Sequence, residues 1–295
     1  MCRGARLPVC AAGRAALLLL GSMLACHVET VSGRLLADEE RTMAHDPLRQ
    51  FFCNLYGVND LTTRSIAPLR YLPAPDVVFL SLASTTIASL YSWNIPNDAA
   101  LAEIARHSPI VEVGPMTGYW ARRLKERGAV VTAYDKQDMT VTAFMLTMNL
   151  RFIMVAEASG SKAQALPARH CLTHMLAALE YMAKSDVGKF HWHPVVIAEG
   201  EEVIAKHPDD ALFLGWPDNP CPALSRDGLY AERTLAAYRG NRVLYIGTWD
   251  SKDSASDGFH EALERDWICE KVIPVETGLV IKLKSPVSLY SLRRK

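Results

Sequence analysis

Ile110-Val111-Glu112-Val113-Gly114-Pro115-Met116-Thr117-Gly118-Tyr119-Trp120 decides the fold. A short run rich in β-branched residues stops at Gly114. A second glycine follows at 118, and an amphipathic helical pattern then runs from Tyr119 to Arg127, closed by Gly128. Ala129-Val130-Val131-Thr132-Ala133-Tyr134 is a second apolar run ending at Asp135. Strand, glycine turn, helix and strand in this order begin a parallel sheet.

The residue types in the turn suit a ligand. Gly114 permits a tight turn and a close approach of backbone to another molecule. Gly118 opens a helix whose N-terminal N–H groups favour a carboxylate or other anion. Glu112, at the end of the strand, suits a cationic amino group, and Asp135 at the end of the next strand suits a pair of ribose hydroxyls. A glycine loop alone also fits an ordinary strand–helix turn. Glu112 and Asp135 together favour the ligand site.

The alternation continues along the chain. Expected strands are Pro194–Ile197, Ala211–Leu214 and Arg242–Ile246, and expected helices are Glu201–His207, Tyr230–Arg239 and one capped by Asp257. Upstream, Asn97 caps a helix that Pro109 stops. Lys271–Glu276 and Leu279–Lys284 read as two strands around Thr277-Gly278, a turn so short that it joins antiparallel strands. The expected fold is therefore α/β: a Rossmann-like three-layer sandwich whose mostly parallel sheet ends in an antiparallel hairpin.

With the terminal hairpin and Asp135 in place, the loop resembles the first motif of class I S-adenosylmethionine-dependent methyltransferases, an acid followed by spaced glycines. Glu112, Gly114 and Gly118 match it, and Met116 stands where that motif has its middle glycine. Tyr91-Ser92-Trp93-Asn94-Ile95-Pro96, Trp192-His193-Pro194-Val195, His207-Pro208-Asp209, Leu214-Gly215-Trp216-Pro217, Ala237-Tyr238-Arg239-Gly240 and Tyr245-Ile246-Gly247 resemble an uncharacterised methyltransferase-like group. In that group a second proline follows the Trp-Pro pair, whereas Asp218 and Asn219 follow here. The resemblance implies S-adenosyl-L-methionine as cofactor. Its contacts would be Glu112, Gly114, Met116, Thr117, Gly118, Tyr119, Asp135 and Lys136, with Glu199 and Gly200 near the adenine. It implies an acceptor near Trp93, Trp216, Pro217 and Asp218. A non-catalytic binding or scaffold protein on the same fold is the alternative, motivated by Met116. An NAD-dependent oxidoreductase is disfavoured by the hairpin ending.

Outside this region the sequence says less. Residues 1–35 carry Arg3, Arg6 and Arg14 before an apolar run and no acid before Glu29, which fits a secretory or organellar targeting segment or a misassigned start; without one the chain would be cytoplasmic. Residues 36–90 read as a helical and loop collar, and 287–295 as a tail around a methyltransferase-like domain of 91–138 and 191–286. Residues 139–190 hold six of the ten methionines, so their composition differs from the rest. A lid and a gene-model artefact are both open.

Lys+Arg and Asp+Glu are equal at 32 each, which argues against a strongly basic nucleic-acid binder. The seven cysteines form no C-x-x-C pair, so a Cys-based zinc site is not expected. His170, His174, His191 and His193 lack the companions of a metal motif. No transmembrane span is expected. Nothing in the sequence names the methyl acceptor or the oligomeric state.

Overall fold

The computed structural model describes residues 91–136, 191–217, 229–251, 254–277 and 286–295. The expected targeting segment, the collar before Tyr91, the 139–190 insertion, Asp218 and Leu279–Lys284 lie outside them. The described elements are β1 (Asn94–Ile95), α1 (Asp98–Ala105), β2 (Ile110–Val113), α2 (Tyr119–Glu126), β3 (Val131–Asp135), β4 (Val195–Ile197), α3 (Gly200–Ile204), β5 (Ala211–Gly215), α4 (Tyr230–Ala237), β6 (Arg242–Gly247), α5 (Asp257–Asp266), β7 (Trp267–Pro274), β8 (Glu276–Thr277) and β9 (Ser288–Arg294).

Seven strands form one sheet in the order β4-β3-β2-β5-β6-β9-β7. The first five run parallel, and β9 lies antiparallel to both β6 and β7. One reversed strand therefore sits beside the last member of a parallel sheet. This is the expected Rossmann-like arrangement, with helices on both faces.

The sequence alternation shows why two layers of helix are needed. On β2 and β5, Ile110, Ala211 and Phe213 join one cluster with Leu101 and Ile104 of α1 and Trp120 and Leu124 of α2. Val111, Val113, Leu212 and Leu214 join the opposite cluster with Ile204 of α3, Ala231 and Leu235 of α4, and Phe259 and Leu263 of α5. A central strand buried on both faces must be apolar at every position, as Ala211–Leu214 is.

Helix ends follow local chemistry. Asn97 caps α1 by accepting the Ala100 N–H at 2.9 Å, as its place in the sequence predicts. The cap of α5 is Ser256, which accepts from Phe259, so Asp257 is the first helical residue and not the cap. Glu103 of α1 is buried at 2% exposure. Burial raises its pKa, but hydrogen bonds from Arg106, Lys271 and Ser291 outweigh that and hold the carboxyl well below the usual range. It ties α1 to β7 and β9.

The carboxyl-terminal part corrects one expectation. β7 pairs antiparallel with β9, while Leu279–Lys284 lie outside the described residues. Residues 288–294, expected as part of a tail, are a strand inside the sheet, with Leu289, Ser291 and Leu292 fully buried. Glu276–Thr277 pair with β1. This small ribbon extends past the carboxyl ends of the parallel strands and carries Trp93, whose carbonyl accepts from Thr277 Oγ1 at 3.1 Å. Among the described residues, no helix is long and apolar enough to cross a membrane.

Candidate cofactor site at the carboxyl ends of the strands

Glycine at 118 creates a problem that Glu112 solves. Gly118 is the N-cap of α2, in the left-handed region at φ 77°, and has no side chain to accept the first N–H groups of the helix. Glu112, from the adjoining strand, accepts the Ala121 N–H. Its side chain is 3% exposed, and its Oε2 has no partner among the described residues. Burial pushes its pKa up to about 8; the Ala121 N–H pulls the other way, and the nearby Asp135 carboxylate adds to the rise. A buried acid with one unsatisfied oxygen is costly unless something positive meets it.

The turn itself stores strain. Gly114 has φ 75° and Met116 φ 56°. A glycine is comfortable there, whereas a side chain costs about 1–2 kcal/mol. Two contacts hold the loop in place: Gly118 N–H donates to Pro115 O at 2.9 Å, and Met116 N–H to Asp135 Oδ2 at 3.3 Å. Asp135 thus stands beside the loop, as its position at the end of β3 predicts.

The outer side of the loop is buttressed by a segment from far along the chain. Trp192 N–H donates to Thr117 O at 2.8 Å. A methyl added to Gly118 would lie 3.0 Å from His193. Tyr91 stacks on Trp192 with centroids 4.9 Å apart, and Tyr119 meets both rings edge-on. Thr117 Oγ1 donates to Tyr91 O at 2.9 Å. The side chains of Thr117 and Tyr119 are therefore spent on holding the loop, and what these two positions offer a ligand is backbone. Tyr91, Trp192 and His193 carry this buttress. Their packing depends on tertiary contact and has no signal in residue spacing, beyond the two aromatics quoted above.

The remaining expected residues distribute along the same edge. Lys136 follows β3 and is half-buried. Glu199 and Gly200 follow β4, beside the end of β3, where Ala198 N–H donates to Asp135 O. Glu199 is half-buried, but Gly200 is packed against Thr234 and Val113 with no room even for a methyl. Trp216 and Pro217 follow β5; Trp216 N–H donates to Ile246 O at 2.8 Å, and Pro217 O accepts from Ala255 at 2.9 Å. Trp93 adjoins the β1–β8 ribbon, where its carbonyl accepts from Thr277 Oγ1. Tyr230, absent from the sequence-based set, reaches Gly114: a methyl there would lie 2.6 Å from its hydroxyl oxygen.

Strain concentrates here. Among the described residues, the non-glycine residues with positive φ are Met116, Trp216 and Ala255. They follow β2, β5 and β6, three neighbouring strands, all at the carboxyl edge. Such conformations persist where surrounding structure imposes them, commonly at ligand sites. Among the described residues, no group of three or more His, Cys, Asp or Glu is placed to hold a metal.

No protein-family model matches the chain, and no curated protein does. Solved structures similar to it include a SAM-dependent methyltransferase from Aquifex aeolicus, at 14% identity and TM-score 0.32, covering 75% of this chain and 99% of that one. Another is TrmK of M. capricolum, solved with S-adenosyl-homocysteine, at 8% identity and TM-score 0.30, covering 66% and 67%. Likenesses this distant carry no argument. The strand order, with β9 reversed between β6 and β7, is what gives this chain the class I methyltransferase fold.

Proposed function

We propose that the chain is an S-adenosyl-L-methionine-dependent methyltransferase whose cofactor site is the Glu112–Gly118 loop facing Asp135. The observation that carries this reading is the buried Oε2 of Glu112, without a partner among the described residues, beside a left-handed glycine turn. A ligand bearing an ammonium group would satisfy that oxygen. Asp135 would hold the ribose hydroxyls, and the Glu199 neighbourhood after β4 the adenine. The cofactor, when bound, supplies an electrophilic methyl on a sulfonium. The chain's own task is then to align an acceptor with it, a proximity effect, beside Trp216 and Pro217 after β5. Asp218, the next residue, is the candidate base.

The second reading is a non-catalytic protein on the same fold, favoured by Met116, which puts a side chain where the backbone would otherwise approach the ligand. Calorimetric titration of the full chain with S-adenosylmethionine, S-adenosylhomocysteine and NAD tests both. Micromolar binding of the first two, lost in Asp135→Ala, is expected. A folded sample that binds neither would overturn the enzyme reading, and binding of NAD alone would replace it.

A further inference from the structure

The connection from β6 to α5 is fixed by three consecutive buried residues, Ser254, Ala255 and Ser256, each facing a different partner. Ser254 faces the sheet. Its carbonyl accepts from His260 Nε2 at 2.8 Å and from the Tyr245 hydroxyl at 3.1 Å. A carbonyl can only accept, so Nε2 of His260 carries the proton. Ser254 Oγ accepts from the Thr248 N–H at 2.9 Å and lies 2.7 Å from the Tyr245 hydroxyl. Tyr245, Thr248, Ser254 and His260 are all fully buried. Ser256 faces α4 and α5: its Oγ accepts from the Phe259 N–H and donates to Glu232 Oε2 at 2.6 Å. Ala255, between them, takes φ 70°, and its N–H donates to Pro217 O at 2.9 Å. A side chain disfavours that conformation, so the contacts of its two neighbours impose it.

The bond to Pro217 links this cluster to the turn after β5. That turn is left-handed at Trp216, φ 54°, and two backbone bonds tie it down: Trp216 N–H to Ile246 O, and Ala255 N–H to Pro217 O. Both lead to β6 and the residues that follow it. The side chains lie on opposite faces of the sheet. Tyr245 and Ala255 belong to the apolar cluster under α4 and α5, whereas Trp216 packs against the cluster of Trp120 and Phe213. We propose that Ser254 is a positioning residue for the Trp216-Pro217 turn. By tying the β6–α5 connection to Tyr245 and His260 it sets the Ala255 N–H, and through Pro217 it holds Trp216 from the other face. The catalytic meaning rests on the reading above, in which the acceptor lies beside Trp216 and Pro217; the coupling itself does not.

Labelling the six tryptophans of the full chain with 5-fluorotryptophan and following their fluorine resonances tests this, with Trp216→Phe assigning one resonance and Trp120→Phe another. Ser254→Ala removes the acceptor of the Thr248 N–H, and Tyr245→Phe removes the hydroxyl while keeping the ring. Each should move the Trp216 resonance by more than its linewidth and leave that of Trp120, in the same apolar cluster, in place. The double variant should move it no further than the larger single shift, since both changes act through one network. If Ser254→Ala does not fold, Tyr245→Phe decides alone. Affinity for S-adenosylhomocysteine should stay within about twofold, because Glu112 and Asp135 are untouched. A Trp216 resonance unmoved in the folded variants would overturn the proposal. So would equal displacement of Trp120 and Trp216, or a roughly tenfold loss of affinity, since either would mean a general loosening. A wild-type chain that binds no S-adenosylhomocysteine sinks the cofactor reading instead, and the fluorine spectra still decide the coupling.

Discussion

Glu112→Gln should make this protein more stable at neutral and alkaline pH, against the usual expectation for removing an acid. Glu112 has its pKa raised from the ordinary 4.5 to about 8 in the folded chain. Between these values the unfolded chain has lost the proton and the folded chain has kept it. The unfolded state then binds fewer protons, so stability falls as pH rises. Stability from this group is fully present below pH 4.5 and is lost as pH climbs through 8. At about 1.4 kcal/mol per pKa unit, the loss is roughly 3 kcal/mol by pH 7 and approaches 5 kcal/mol above pH 8. A domain of net stability near 5–15 kcal/mol would feel this strongly.

Glutamine keeps a carbonyl oxygen for the Ala121 N–H and cannot ionise. Urea unfolding of both proteins at pH 5, 6, 7 and 8, followed by tryptophan fluorescence, isolates the effect in the difference between them. The two should be similar at pH 5, and the variant should lead by several kcal/mol at pH 8. Parallel curves across this range would refute the reasoning, since they would mean that Glu112 titrates alike in both states. A ligand ammonium should reverse the balance by favouring the carboxylate. Binding of S-adenosylhomocysteine at pH 7 should therefore release close to one proton, measured by calorimetry in buffers of different ionisation enthalpy, and Glu112→Gln should release none.

Met116→Gly should raise stability by roughly 0.5–1 kcal/mol, the left-handed penalty less the extra chain entropy of glycine; a lower urea midpoint would count against the strain. The same variant should bind S-adenosylhomocysteine more tightly if the side chain stands in the ligand's way. Gly118→Ala should cost roughly 2 kcal/mol or more, because φ is 77° and the new methyl would press on the His193 backbone. Arg294→Ala should lower the melting temperature by several degrees. That guanidinium lies 4.5 Å from the Trp267 ring centre and donates to the Tyr238 and Gly240 carbonyls, so roughly 2 kcal/mol of cation–π and hydrogen-bond contact is removed.

The first half of the sheet was legible because its signals are local. The β-branched run, glycine turn and helix from Ile110 to Arg127 each fall within one window of sequence, and Asp135 ends the next strand. β9 was not legible. Its pattern, Ser288-Leu289-Tyr290-Ser291-Leu292-Arg293-Arg294, mixes serine into a strand and closes on two arginines, which suits an exposed tail. The sheet accepts it because Ser291 faces Glu103 and Arg242, and Arg294 lies on Trp267. Those partners come from α1, β6 and β7, so the strand's polarity makes sense only after the fold exists. The same holds for the loop's neighbours. Trp192 and Tyr230 reach Thr117 and Gly114 from segments that spacing alone does not connect.

Among the described residues, charge is distributed unevenly between the two edges of the sheet, which bears on the acceptor. Beyond the carboxyl ends of the described strands lie Asp135, Glu199, Asp250 and Glu276, with Lys136 as the opposing charge. Glu201, Glu232 and Asp257 are also at this edge, but they occupy first turns of helices, where the dipole accounts for them. The opposite edge carries Arg106, Arg127, Lys206, Arg239, Arg293 and Lys295 together with Glu126, Asp209, Asp210, Glu264 and Asp266. Without the helix-turn acids, the described residues of the ligand edge still carry a negative balance. Such a field repels polyanions and attracts cations over about a Debye length. The rate at which an acceptor reaches Trp216 should therefore fall with added salt for a cationic acceptor and rise for an anionic one. Stopped-flow quenching of tryptophan fluorescence by oligolysine and by an oligonucleotide, each at two ionic strengths, would separate these cases. Equal salt dependence for the two probes would show that the described edge does not set the field the acceptor meets.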